Sequence, residues 1–352
     1  QPTHATLFTG LEVPEHGAGA GGTLGPRREG LRPMVDGVPT LAEHFREQGF
    51  QTVLVSANGL LVPESGLTRG FDVAHVSELS DWRLERLDQE VRETLARLDP
   101  AKPLFLVVNV IDAHDPYPAV PASVGWVPRA RRPWSPPWND AGARKRDRLD
   151  SMVRKVHDRY DYAVFEADRN LGRVLATLDA GGWRQRPWRL VVTSDHGELL
   201  GEHGRFKHGG HDLHEPLLAV PTVYVDSMGG RPSLPDPLAQ AAVHHLVRDG
   251  TAPVLPLRAA RLSSPSVAPG DVCTHSTVAA WEGSRKWICR AGRTVTVDLT
   301  DTETVPEPAP DSLMPFAAAV ERVAVDDRGR GEDAVRERLE ALGYLSEPDT
   351  DD

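Results

Sequence analysis

Cysteine is nearly missing from this sequence. Cys273 and Cys289 are the only two in 352 residues, too few for a disulfide framework or a thiolate metal site, so both are expected to be small buried hydrophobes. Positive charge is also short. Forty Lys and Arg face 51 Asp and Glu, a formal net charge of −11, which excludes broad electrostatic capture of nucleic acid but not a local cationic pocket for a small anion. No apolar run approaches the ~20 residues that span a bilayer. The longest clear one, "PLFLVVNVI" (103–111), reads as a buried strand. Internal repeats and coiled-coil heptads are missing as well. No signal peptide is visible, but the chain opens on Gln1, so the cytoplasm is the default expectation and secretion stays open.

What is present is a helix–strand alternation. "PTLAEHFREQGF" (39–50) carries a capping box, with Thr40 as N-cap and Glu43 three positions on, and the buried strand "TVLVSAN" (52–58) follows. "LSDWRLERLDQEVRETLARLD" (79–99) is helical and leads into "LFLVVNV" (104–110). A Pro- and Trp-rich excursion at 116–140 is long enough to line a site. A helix around 150–180 has Val164, Leu171, Val174, Leu175 and Leu178 as its apolar stripe, and the apolar strands "WRLVVTS" (188–194) and "VPTVYVD" (220–226) come next. The expected fold class is therefore α/β, a mixed and mostly parallel sheet covered by helices on both faces. Residues 11–37 read as an irregular Gly- and Pro-rich segment. A large domain over 1–250 is expected, followed by a smaller unit over 251–352. Residues 227–238 and 249–271 are Pro- and Ser-rich connections around a short helix near 236–248. The smaller unit holds a hairpin at 285–300 turning at "RAGR", and a terminal amphipathic helix at 332–345 ended by Gly343.

In open α/β sheets ligands sit beyond the carboxyl ends of the strands. Three polar clusters stand at such ends: Ser56 and Asn58, Asp112 and His114, and Asp195 and His196. The densest stretch is "VVTSDHGELLGEHGRFKHGGHDLH" (191–214). Asp195 offers a hard carboxylate oxygen and His196 an imidazole nitrogen, a pair suited to Ca²⁺, Mg²⁺ or Mn²⁺, or to Zn²⁺ in a more His-weighted shell. Two ligands do not hold an ion alone. The alternative is a polar turn with Asp195 capping a following helix. His208, or Lys207 beside it, suits a substrate oxyanion or a leaving group, while His211 and His214 are expected in a solvated loop and His203 is open. In "DAHDPY" (112–117) the acidic neighbours are expected to raise the pKa of His114 and favour a cationic donor. The alternative there is a turn held by Asp112 or Asp115.

Together these residues resemble the sulfatase branch of the alkaline phosphatase superfamily. "QPTHATLFTG" (1–10) is similar to the stretch after the sulfatase nucleophile, and "TLAEHFREQGFQTVLVS", "GFD", "FLVVNVIDAHDPY", "YDYAVFEADRNLGRVLATLD", "VVTSDHGELLGEHGRF" and "LEALGYL" continue the likeness in the family's order. The resemblance implies metal-assisted hydrolysis of a sulfate ester, on a small molecule or carbohydrate, with a divalent ion and a small four-stranded C-terminal sheet. It places Asp195 and His196 on metal-ligand positions, and His114 and His208 on positions facing the oxyanion or leaving group. It puts His4 where the signature has arginine, and Thr3, Asn58 and Lys207 toward the substrate. The Lys-Trp-His segment that grips sulfate in many relatives is replaced around "VSANG" (55–59). A phosphonate or phosphodiester hydrolase, a phosphoryl transferase, and a non-catalytic binding protein are therefore the rival readings. The likeness further implies that the nucleophile and two metal aspartates lie before Gln1, and that the 352-residue chain alone is inactive.

Overall fold

The computed structural model describes residues 2–23, 29–77, 85–136, 146–208, 213–262, 273, 276–290, 293–298, 304–305 and 313–325. The chain begins with helix α1 (Pro2–Thr9) and a single turn, α2 (Val13–His16), closed by Gly17 at φ 67°. Strands β1 (Gly19–Thr23) and β2 (Glu29–Arg32) then pair antiparallel, so the segment expected to be irregular holds a helical turn and a hairpin. Its glycines hid the strands because they carry no alternating pattern.

Helix α3 (Leu41–Glu47) starts as its capping box requires. The Thr40 hydroxyl accepts from the Glu43 amide at 3.1 Å, and the Glu43 carboxylate accepts from the Thr40 amide at 2.9 Å. Strand β3 (Gln51–Ser56) lies between β4 (Val73–Val76) and β5 (Leu104–Asn109) in a parallel sheet ordered β4-β3-β5. Its side chains alternate between faces. Val53 and Val55 pack with Leu87, Val91 and Leu95 of α4 (Glu85–Leu95) and Val174 of α5 (Arg146–Ala180), whereas Leu54 packs with Ala5 and Phe8 of α1. Helices thus cover both faces, as expected.

Strand β6 (Arg189–Thr193) pairs with β9 (Thr222–Asp226) in the antiparallel sense, a departure from the parallel alternation. Only β3 is buried as the apolar strands were expected to be. Val110 just past β5, and Val223 and Val225 in β9, are 38%, 52% and 39% exposed, because among the described residues β5 pairs only with β3 and β6 only with β9. The stripe on α5 is corrected at one position. Val164 is 44% exposed, while Ala163 and Val156 pack on Tyr117 of the 116–140 excursion. Short strands β7 (Leu199–Leu200) and β8 (Phe206–Lys207) form a small hairpin, followed by α6 (Glu215–Leu218) and α7 (Gln240–Asp249), which packs on α1.

The smaller unit holds a five-stranded antiparallel sheet, one strand more than expected. Its order is β10 (Arg258–Leu262), β11 (Ser276–Glu282), β12 (Arg285–Arg290), β13 (Arg293–Asp298), β14 (Thr304–Val305). β10 lies inside the segment read as a connection. Helix α8 (Leu313–Val325) covers the sheet. Cys273 and Cys289 are buried in that core but are not separate small hydrophobes; they form a disulfide, with Cα atoms 5.9 Å apart. The helix expected at 332–345 lies outside the described residues, as does His211.

Candidate functional site

The ends of β3, β5 and β6 meet at one crevice, and hydrogen bonds run across it. The Ser56 hydroxyl donates to Asn109 Oδ1 at 3.2 Å, and Asn109 Nδ2 donates to His4 Nε2 at 3.2 Å. That contact assigns the ring proton of His4 to Nδ1, which points at Asp195 Oδ2 from 3.6 Å, too far for a hydrogen bond. His4 Nδ1 is therefore a buried polar atom without a hydrogen-bond partner, facing a carboxylate. His196 approaches the same oxygen from the other side. Its Nδ1 lies 2.8 Å from the Gly197 carbonyl and donates to it, so Nε2 carries the lone pair and sits 3.6 Å from Asp195 Oδ2. Glycine is required next in the chain. The Gly197 amide donates to the Leu217 carbonyl at 2.9 Å, and a Cβ there would stand 1.9 Å from the Pro216 carbonyl oxygen.

Beyond His196 the rings continue. His208 lies 4.2 Å away, centroid to centroid, and His114 packs edge-on against His208 at 4.9 Å. Glu198 holds His208 by its Nδ1 at 3.1 Å. Lys207, buried in the left-handed region at φ 70°, reaches Asp115 at 3.0 Å. His114 Nδ1 contacts the Asp115 carbonyl.

Burial sets the protonation states. It pushes His4 down to about 4 against the attraction of Asp195. It also lowers His114, helped by neighbouring His208 and opposed by Asp115. The expectation that acidic neighbours raise His114 is therefore corrected: desolvation wins, and His114 is a neutral ring. Burial likewise lifts Glu198 to about 8. For Asp195 burial pushes upward, but the combined pull of His196, His4 and His208 holds the carboxylate well below its usual range.

The donor chemistry fits a divalent ion, with one ionised carboxylate oxygen on Asp195 and one lone-pair nitrogen on His196 turned toward each other. Among the described residues no cluster of three or more His, Cys, Asp or Glu side chains is arranged to enclose an ion. Asp195 and His196 alone therefore do not enclose an ion among the described residues.

The structure brings Asp195, His196, His208, His114, His4 and Lys207 together. Asn58 stands at the rim, its Oδ1 accepting from the Leu60 amide at 3.0 Å and its own amide bonded to Ser56 Oγ at 3.0 Å. Thr3 precedes His4 on α1 and is partly exposed. Asp112 is buried and accepts from Asn170 of α5 at 3.2 Å. His214 is not in a solvated loop. It stacks on His203 at 3.8 Å and is lowered to about 4 by burial and that neighbour. Sequence reasoning assigned no part to Glu198 or Asn109. Glu198 lies inside the quoted histidine stretch, but nothing in sequence marks a glutamate as buried.

Comparison with known proteins gives the family and the fold. The profile of the family described as Sulfatase matches residues 1–247. The phosphonate monoester hydrolase of Agrobacterium radiobacter is similar in structure, with a TM-score of 0.58 at 16% identity over 97% of this chain and 86% of that one. The corresponding enzyme SpPMH from Silicibacter pomeroyi gives 0.57 at 14% identity, covering 96% of this chain and 87% of that one. The structure of BT4656 with its substrate D-glucosamine-2-N,6-O-disulfate gives 0.52 at 13% identity, covering 99% and 90%. At these identities the likeness establishes the fold. No match was found among curated protein sequences.

Proposed function

The chain belongs to the sulfatase family, and on that premise we propose that it hydrolyses a sulfate ester of a small molecule or carbohydrate at a divalent-metal centre built on Asp195 and His196. The observation that carries this reading is the convergence of Asp195, His196, His208 and His114 at one sheet edge. Family members generally use a divalent metal. Bound here, the ion would neutralise a non-bridging ester oxygen and lower the pKa of a nucleophile.

The chain's own groups do the rest. Asp195 and His196 offer ligand atoms held by the Gly197 turn. His4, a neutral ring, faces Asp195 from 3.6 Å. His208, anchored through Nδ1 by Glu198, presents Nε2 to the substrate and can pass a proton to the departing oxygen. His114 flanks it and restricts water. Lys207, fixed on Asp115, contributes positive potential from beneath. Preorganised charge of this kind usually supplies the largest share of rate enhancement.

A phosphonate monoester is the second reading. It is supported by the place taken by Asn58, whose Oδ1 is committed to the Leu60 amide where the sulfatase pattern has Lys and His. The test uses the full-length protein with nitrophenyl sulfate, phosphate and phosphonate esters and added Ca²⁺ or Mn²⁺. Asp195→Ala is expected to abolish bound metal and turnover together. Turnover retained at unchanged metal content would remove the proposed role, and metal binding without turnover of any ester would favour a non-catalytic binding protein.

A further inference from the structure

Outside the crevice, one concave surface has a charge balance opposite to that of the chain. A pocket of 390 Å³ between the 116–140 excursion and the first turns of α5 is lined by Arg129, Arg154, Lys155 and Arg159 with Asp158 as its acid. Four cations against one carboxylate leave a local excess of three positive charges in a chain of net charge −11. Arg159 is 7% exposed, and its guanidinium donates to the backbone carbonyls of Pro118 and Arg132, the latter at 3.1 Å. Those carbonyls orient the fork without neutralising it. The Lys155 ammonium is placed by the Trp134 ring, 3.7 Å from its centroid. Burial lowers the pKa of both groups, and for Lys155 the neighbouring Arg159 charge lowers it further. None of the four cations forms an ion pair with a described residue, although Arg154 and Asp158 are one helical turn apart.

Arg129, Arg154 and Lys155 are exposed around the buried Arg159; like charges lining one pocket repel one another until an anion lies between them, and a concave wall focuses their field outward. Planar guanidinium forks match tetrahedral oxyanions in a bidentate way. We propose that this pocket binds a sulfate or phosphate ester group carried on a multiply charged molecule, at a place distinct from the Asp195–His208 crevice. The two are close. Arg159 grips the Pro118 carbonyl, three residues from the Asp115 that holds Lys207, and three residues span at most about 11 Å. One extended polyanion can therefore reach both, and so can two separate ligands. The pocket does not depend on the catalytic reading.

The test is isothermal titration with sucrose octasulfate, and with inorganic phosphate as the minimal probe. The proteins are the wild type, Arg154→Gln/Lys155→Gln, Asp195→Asn, and a control, Arg97→Gln/Arg285→Gln, that removes two exposed charges elsewhere. Wild type is expected to bind the octasulfate one to one, and the pocket variant to bind at least about tenfold more weakly with an unchanged melting temperature. Equal binding by Asp195→Asn and wild type would identify a separate ligand in the pocket. Weakening by both the pocket variant and Asp195→Asn would identify one molecule spanning both places. The proposal is overturned if wild type fails to bind, if the control weakens binding as much as the pocket variant, or if only Asp195→Asn does so.

Discussion

Acidification should destabilise this protein through a histidine that takes no part in the crevice. His16 is fully buried. Its Nδ1 accepts from the Ala18 amide at 3.0 Å, so its proton is on Nε2, 3.1 Å from the Thr6 hydroxyl. Adding a second proton would break the Ala18 bond and bury a charge, and burial accordingly pushes its pKa from 6.5 down to about 4. The sign follows from linkage. The unfolded chain binds the proton first, so the neutral ring's stabilisation is complete above 6.5 and is lost as pH falls toward 4. Between pH 7 and pH 5 the loss from this one ring comes to about 2 kcal/mol. Other rings titrate in the same window, His4 and His244 among them, so the measurement must be a difference. Urea unfolding of wild type and His16→Gln at pH 7 and pH 5 supplies it, since glutamine can accept from Ala18 and donate to Thr6 without titrating. Wild type should lose about 2 kcal/mol more than the variant over that interval. Equal pH slopes would refute the assignment, whatever the absolute stability of the variant.

Three further outcomes can be checked. Gly197→Ala should cost at least ~2 kcal/mol in thermal unfolding, because its Cβ would meet the Pro216 carbonyl at 1.9 Å; wild-type stability would mean that the 216–217 segment yields freely. Cys273→Ser/Cys289→Ser should lower stability by about 3 kcal/mol, since the bond closes a loop with a sequence separation of 16, and a melting curve indifferent to reductant would contradict this. In Glu198→Ala the hydrogen-bonded proton between Glu198 and His208 should vanish from the low-field region of a proton NMR spectrum; its persistence would show that the 3.1 Å contact does not form in solution.

Features fixed by neighbours in the chain are legible in the order of amino acids alone. The Thr40–Glu43 box starts α3 because both partners lie within one turn, and β3 is apolar because helices cover both its faces. Two of the three strand-end clusters are legible for the same reason, since the parallel strands β3 and β5 deliver their last residues to one edge. What stays hidden depends on partners distant in sequence. The antiparallel sense of β9, the exposure of Val223 and Val225, and the hairpin made from "GAGGT" depend on which strand lies alongside. The Cys273–Cys289 bond depends on the strands that bring the two together. For His114 the amino-acid order points to the wrong direction of pKa shift, because it displays the acidic neighbours but not the burial. Glu198 escapes notice for the same reason.

The charges in the crevice would favour the proposed cation. Asp195 is held ionised, Asp115 is matched by Lys207 at 3.0 Å, and burial keeps His4 and His114 neutral while lifting Glu198 to about 8. The described groups therefore sum to about one negative charge near neutral pH, before any contribution from His196 or His208. An ester anion brought into such a place would be repelled, and the repulsion is strengthened by partial exclusion of water. On the proposed reading, a divalent ion on Asp195 and His196 would reverse the sign and turn the same wall into an anion receptor. The neutral histidines then make physical sense. They hydrogen-bond without adding positive charge that would compete with the ion for Asp195. Depressing their pKa by burial would thus suit the proposed function, in which this sheet edge accepts first a cation and then an anion.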